Sequence, residues 1–118
     1  PETHHLIGER ELRLMKPTAY LINTARGAVV EVNALVKAIA EGWIAGAGLD
    51  VVEGEPVRPD HPLLAFPNVV VTPHIAAHSV ESLRDVLAGA ARNVATFLQG
   101  TWPAPTVNPE ARARAVQQ

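Results

Sequence analysis

The sequence predicts an α/β fold built on a parallel sheet, and three features carry that prediction. Apolar or β-branched runs lie at 19–22, 44–52 and 69–72. Helix-patterned segments alternate with them. The runs are almost continuously apolar, with Asp50 the only charge in the second, as in strands covered on both faces by helices.

The elements follow in order. Leu6 to Met15 reads as a short amphipathic helix with Leu12 and Met15 three apart, stopped by Lys16-Pro17. Ala19 to Ile22 reads as the first buried strand, broken by the polar start and small residues of Asn23-Thr24-Ala25-Arg26-Gly27. Asn33 is read as the N-cap of a helix running through Glu41, with Leu35 and Ile39 on one face and Gly42 as its C′ residue. Ile44 to Val52 is the second strand. Residues 53–67 hold Pro56, Pro59, Pro62 and Pro67 and read as a loop. Val69-Val70-Val71-Thr72 is the third strand, ended by Pro73-His74. Ser79 caps a long helix with Glu81 in its first turn. Its apolar stripe is Val80, Leu83, Leu87, Ala90, Val94 and Phe97, and Gly100 closes it. From Thr101 the tail, with Pro103, Pro105 and Pro109, reads as extended. Arg112 and Arg114 are read as solvated.

Composition narrows the function classes. The 118 residues are 47% hydrophobic and 19% charged, which fits a globular chain and not disorder. A formal net charge of −2 without a basic block argues against nucleic acid or an anionic membrane as partner. With no cysteine, there are no disulfides or thiolate metal sites within the chain. No apolar run reaches the ~18–20 residues of a membrane span. These features predict a soluble, cytoplasmic protein.

In open α/β sheets, ligands bind beyond the C-terminal ends of the strands. Arg26 follows the first strand, Asp50, Glu53 and Glu55 follow or end the second, and His74 follows the third. A basic, an acidic and an imidazole side chain therefore converge on one rim. Arginine holds a carboxylate with its planar fork, histidine exchanges protons near neutral pH, and a neighbouring carboxylate fixes the ring. The set suits reduction of a 2-oxo acid: hydride from a nicotinamide, a proton from His74, the carboxylate on Arg26. Each residue has a plain structural alternative, as a surface ion pair, a turn residue or a loop charge. Their shared placement on three strand ends brings the catalytic reading level with those alternatives.

Two patterns lead elsewhere. Gly46-Ala47-Gly48-Leu49-Asp50-Val51 lacks the third glycine of a dinucleotide fingerprint and does not open a helix. Its small residues are expected to let strand and helix pack closely. His74 and His78 have metal-like spacing but need not share a helix face, and His4-His5 reads as a surface pair. No metal site is expected.

At these residues the sequence resembles the D-isomer-specific 2-hydroxyacid dehydrogenases, the family that includes D-3-phosphoglycerate dehydrogenase and the glyoxylate/hydroxypyruvate reductases. The likeness runs from Pro1 to about Pro109. It rests on Pro1-Glu2-Thr3, Leu14-Met15-Lys16-Pro17, Ile22-Asn23-Thr24-Ala25-Arg26-Gly27, Ala45-Gly46-Ala47-Gly48-Leu49-Asp50-Val51, Glu55-Pro56 and Thr72-Pro73-His74-Ile75-Ala76. The resemblance implies that Arg26 binds the substrate carboxylate and polarises the keto oxygen. It makes His74 the general acid in reduction and general base in oxidation, with Glu55 pairing with it and raising its pKa. Asp50 would contact the nicotinamide amide, Thr24 and Ala25 would line its pocket, Ala76 would approach the cofactor, and Thr3 lies in a loop near it. NAD is the implied cofactor, with NADP open, and the implied assembly is a homodimer. Relatives often have glycine after the His-Ile pair, where this chain has Ala76-Ala77, a mild departure. Glu55 in place of glutamine argues against the related formate dehydrogenases. A non-catalytic, NAD-sensing corepressor is the alternative that keeps the same triad.

The resemblance also implies that the chain is the C-terminal portion of such an enzyme. The opening Pro1-Glu2-Thr3 without an initiator methionine fits a longer protein. The glycine-rich phosphate loop, the ribose-reading acid and most of the substrate domain would precede Pro1. Residues 1–78 would be the second half of a doubly wound, Rossmann-type NAD-binding domain, and 79–118 a helix and tail returning toward the substrate domain. Alone, the chain would leave Ala19 to Ile22 as an apolar edge, and is expected to self-associate or be unstable, without tight cofactor binding or turnover.

Overall fold

The structure is a computed structural model that describes residues 2–112. Pro1 and Arg114, named above, lie outside the described residues. The chain divides into two compact units, Pro1–Ala77 and His78–Gln118.

The first unit holds α1 (Glu9–Leu14), β1 (Tyr20–Asn23), a 3-10 turn (Gly27–Val29), α2 (Val32–Ala40), β2 (Gly46–Leu49), a second 3-10 turn (Pro62–Ala65) and β3 (Val69–Val71). The three strands form a parallel sheet in the order β1-β2-β3. Asn23 stands opposite Leu49, and Leu49 opposite Val71, so the strands end side by side.

Both helices begin where they do because of one backbone arrangement. His5 and Ile7 donate to the carbonyls of Ala28 and Val29, and Glu31 donates to Ile7. Ile7 and Val30 thus pair as a parallel bridge, which holds the backbone just before each helix out of helical conformation. The first helix therefore starts at Glu9 rather than Leu6, with the Glu11 carboxylate accepting the Gly8 N–H at 3.1 Å. The second starts at Val32 with Glu31 as its cap, so Asn33 is a first-turn residue and not the N-cap. Gly42 ends it at φ +70, a conformation in which glycine has no side-chain penalty.

The core lies on one face of the sheet. Leu12 of α1, Leu35 and Ala38 of α2, and Ile44 and Leu63 are buried against Ala47 and Leu49. Each fully buried leucine contributes about 1.5–3 kcal/mol relative to exposure. Within this unit α1 and α2 share one face, as in one half of a doubly wound sheet. Tyr20, Ile22 and Val70 on the other are more than half exposed, at 62%, 66% and 64%. The glycines of β2 serve that bare face. A Cβ at Gly46 would collide with the Asn68 carbonyl and meet the Tyr20 ring at 2.8 Å; one at Gly48 would meet Ile22 Cδ1 at 2.9 Å. They make room for neighbouring strand side chains and the loop backbone, not for a helix; only Ala47 between them faces the helical side.

The second unit is α3 (Val80–Leu98) and its tail. Ser79 Oγ accepts the Ser82 N–H at 3.0 Å, and Gly100 at φ +77 follows the end. The stripe of Val80, Leu83, Leu87, Val94 and Phe97 is exposed. The tail is not wholly extended: Phe97 and Trp102 meet edge to face at 5.8 Å, and Pro109–Ala111 forms a 3-10 turn. No helix among the described residues is long and apolar enough to cross a membrane.

Candidate active site

Side chains at the C-terminal strand ends fold the loops that follow. After β1, Asn23 is buried, its Oδ1 accepting the Ala25 N–H at 3.1 Å and its Nδ2 donating to the Arg26 carbonyl at 3.0 Å. This is an Asx-type turn, and it fixes the backbone of Thr24–Arg26. Gly27 comes next because nothing larger fits: a Cβ there would collide with the backbone of Val52 and Glu53. The Arg26 turn is thereby packed against the end of the second strand segment.

After β2, Asp50 is 5% exposed. Its Oδ1 accepts from the Thr72 hydroxyl and from the Ile75 N–H at 2.9 Å, and its Oδ2 accepts the Ala76 N–H at 2.8 Å. The Asp50 carbonyl takes the His74 N–H at 2.9 Å. One residue therefore holds the whole Thr72–Ala76 loop. The Thr72 hydroxyl first, then the Ala76 and Ile75 amides and the charge of His74, keep its carboxyl below the ordinary 3.8, although burial opposes ionisation.

That loop turns through His74 at φ +55, in the left-handed region that histidine enters more readily than most side chains. The turn sets His74 Nδ1 3.0 Å from Glu55 Oε2. Glu55 Oε1 accepts the Val52 N–H at 2.9 Å. The bond from His74, then that from Val52, holds the Glu55 carboxyl below the ordinary 4.5. An ionised carboxylate only accepts, so Nδ1 carries the shared proton and donates it. Asp50, Thr72, His74 and Glu55 share a cavity of about 590 Å³ with apolar walls that include Val57 and Leu64. That volume is in the range of small-molecule sites.

The structure brings together Asp50, Glu55 and His74. Arg26 stays apart: it is exposed, its Nη1 donates to the Ala25 carbonyl at 2.6 Å, and among the described residues it forms no ion pair. Thr3, Thr24, Ala25 and Ala76 are exposed and do not line the cavity.

Residues 1–76 match the family model for the D-isomer specific 2-hydroxyacid dehydrogenase, NAD binding domain. The chain belongs to that dehydrogenase family. The glyoxylate reductase of Thermofilum pendens is 58% identical over 109 residues, covering 92% of this chain and 32% of that protein. Among solved structures, the NAD-complexed D-isomer specific 2-hydroxyacid dehydrogenase of Lactobacillus delbrueckii ssp. bulgaricus matches with a TM-score of 0.82 at 40% identity, over 92% of this chain and 37% of that one. The NADPH-dependent glyoxylate/hydroxypyruvate reductase of Sinorhizobium meliloti, with NADP and malonate, matches with a TM-score of 0.76 at 39% identity, over 82% and 30%. This chain spans about a third of the length of the curated relatives it matches.

The parts missed by sequence reading are residues that shape the loops. Asn23, Gly27, Val52 and Thr72 shape the loops that carry Arg26, Glu55 and His74. Asn23 and Thr72 had a usable signal: each is a short polar side chain closing an apolar strand, a position suited to bonding the next turn. Gly27 and Val52 had none, since their meeting is a tertiary contact.

Proposed function

We propose that this chain carries the proton-transfer and carboxylate-binding residues of a nicotinamide-dependent oxidoreductase that interconverts a small 2-oxo acid and its 2-hydroxy acid. The observation that carries the reading is the His74–Glu55 pair at 3.0 Å on the rim of the sheet.

With Nδ1–H committed to Glu55, Nε2 is the nitrogen that exchanges a proton. Protonated, it donates to the oxygen of a 2-oxo acid as general acid; neutral, it takes the proton back from a 2-hydroxy acid. Glu55 keeps that tautomer and orients the ring. The Arg26 guanidinium uses one donor on Ala25 and retains its others for a substrate carboxylate and the adjacent keto oxygen. The cofactor, when bound, supplies or accepts the hydride. The polar edge and apolar walls of the cavity fit a nicotinamide ring, with Asp50 and His74 in contact; Thr24, Ala25, Arg26, Ala76 and Thr3, which lie outside the cavity lining, would meet the cofactor beyond it. In this reading residues 1–78 are the second half of the NAD-binding domain, and 79–118 the helix and tail returning toward a substrate-binding domain. A homodimer and a cytoplasmic setting go with it.

The test is a chimera in which this chain replaces the matching segment of the Thermofilum pendens glyoxylate reductase. It should oxidise NADH or NADPH on addition of glyoxylate. A folded chimera that binds the cofactor but shows no glyoxylate-dependent oxidation would overturn the proposal.

A further inference from the structure

His4, His5 and Glu53 form a second cluster of ligating groups, separate in composition from the Glu55–His74 pair. Glu53 Oε1 and Oε2 lie 3.0 and 2.9 Å from His5 Nε2, and Oε1 lies 3.6 Å from His4 Nε2. Neighbouring side chains in an extended chain point to opposite sides. Here His5 has φ +51, and the two imidazoles stack with centroids 3.8 Å apart, presenting both nitrogens to one carboxylate.

The Gly27–Val29 turn is the common platform. The Ala28 carbonyl accepts the His5 N–H at 2.8 Å, while Gly27 packs on the Val52–Glu53 backbone. Both halves of the cluster are thus fixed to the same short turn. An ordinary histidine–carboxylate bond explains His5 with Glu53. It leaves unexplained a second imidazole held against the same oxygen, where two protonated rings would repel.

We propose that His4, His5 and Glu53 bind a divalent transition metal ion, with zinc the best match. Tetrahedral zinc with bonds of ~2.0–2.1 Å sets its ligand atoms about 3.3 Å apart; the two His–Glu separations of 2.9 and 3.6 Å bracket that value, and all three ligand atoms lie within 4.8 Å of one another. Two nitrogens and one oxygen suit zinc, nickel or copper and not magnesium, which takes oxygen ligands. All three side chains are partly or largely exposed, leaving room for water in the remaining position. The bound ion would clamp the N-terminal turn onto the loop that leads to Glu55.

Equilibrium dialysis of the full chain against zinc tests this, since it reads stoichiometry per chain whatever the association state. The expected result is one zinc per chain and no magnesium. Affinity should fall at least about tenfold in both His4→Asn and Glu53→Gln, with circular dichroism unchanged, and stay the same in His74→Asn. Glu53→Gln keeps the shape of the side chain, so lost binding there cannot be assigned to lost packing. Absence of zinc binding by the parent chain would overturn the site. So would affinity that survives in either His4→Asn or Glu53→Gln, or that is lost in His74→Asn.

Discussion

Asp50 Oδ2 accepts the Ala76 N–H at 2.8 Å, across 26 residues of sequence. With the matching bond from Ile75 and the one from Thr72, it makes a buried carboxylate the anchor of the loop that presents His74. A carboxyl held below its ordinary value stabilises the folded state above that ordinary value. The contribution is lost as pH falls through the lowered one. The Ile75 and Ala76 amide resonances should therefore be flat above pH 3.8 and move together below it. In Asp50→Asn the step should vanish and the loop should lose protection from hydrogen exchange. Amides that titrate well above 3.8 would show that the carboxylate is not held by these bonds.

Glu55 has its own acid limb. Its carboxyl lies below 4.5 because His74 and the Val52 amide donate to it, so the pair is intact above that pH and opens as pH falls through the lowered value. The His74 ring resonances should carry an inflection below pH 4.5 that disappears in Glu55→Gln. The same inflection persisting in the variant would mean that another group faces the ring.

Gly27→Ala should be among the costlier small substitutions. Its Cβ would strike the Val52–Glu53 backbone, which has no side-chain rotamer with which to yield. Overpacking costs about 1–3 kcal/mol, and backbone displacement places this change toward the upper end. Chemical denaturation measures the loss. The shift should also reach Glu55 through Val52, visible as a weaker His74–Glu55 coupling. A variant as stable as the parent would mean the turn moves freely away from the second strand segment.

Leu35→Ala probes the shared core of α1, α2 and the sheet. The side chain is 1% exposed, and its removal should cost about 2–5 kcal/mol, measured as a lower denaturation midpoint with an unchanged slope.

Much of this fold can be read from local pattern. The Val69–Val71 run, the Leu35/Ile39 spacing and the Ser79 cap each encode their element within a few residues, and each element forms there. The strand-end rule likewise locates Glu55 and His74 on one rim. What local pattern does not carry is any bond made across the chain. Asn33 has the chemistry of a cap, yet α2 starts earlier because Ile7 bonds Glu31. The role of Asp50 as an anchor and the meeting of His4 and His5 with Glu53 depend on partners 22 or more residues distant. Arg26 is the opposite case: its local turn is legible from Asn23, but among the described residues no hydrogen bond or ion pair draws its guanidinium toward His74.

The most direct measurement is turnover of the glyoxylate reductase chimera carrying His74→Ala. Loss of general acid–base catalysis should lower the rate by about 10²–10⁴ while NADH affinity changes little. An unchanged rate, or a fall matched by an equal loss of NADH binding, would contradict the assignment of proton transfer to His74.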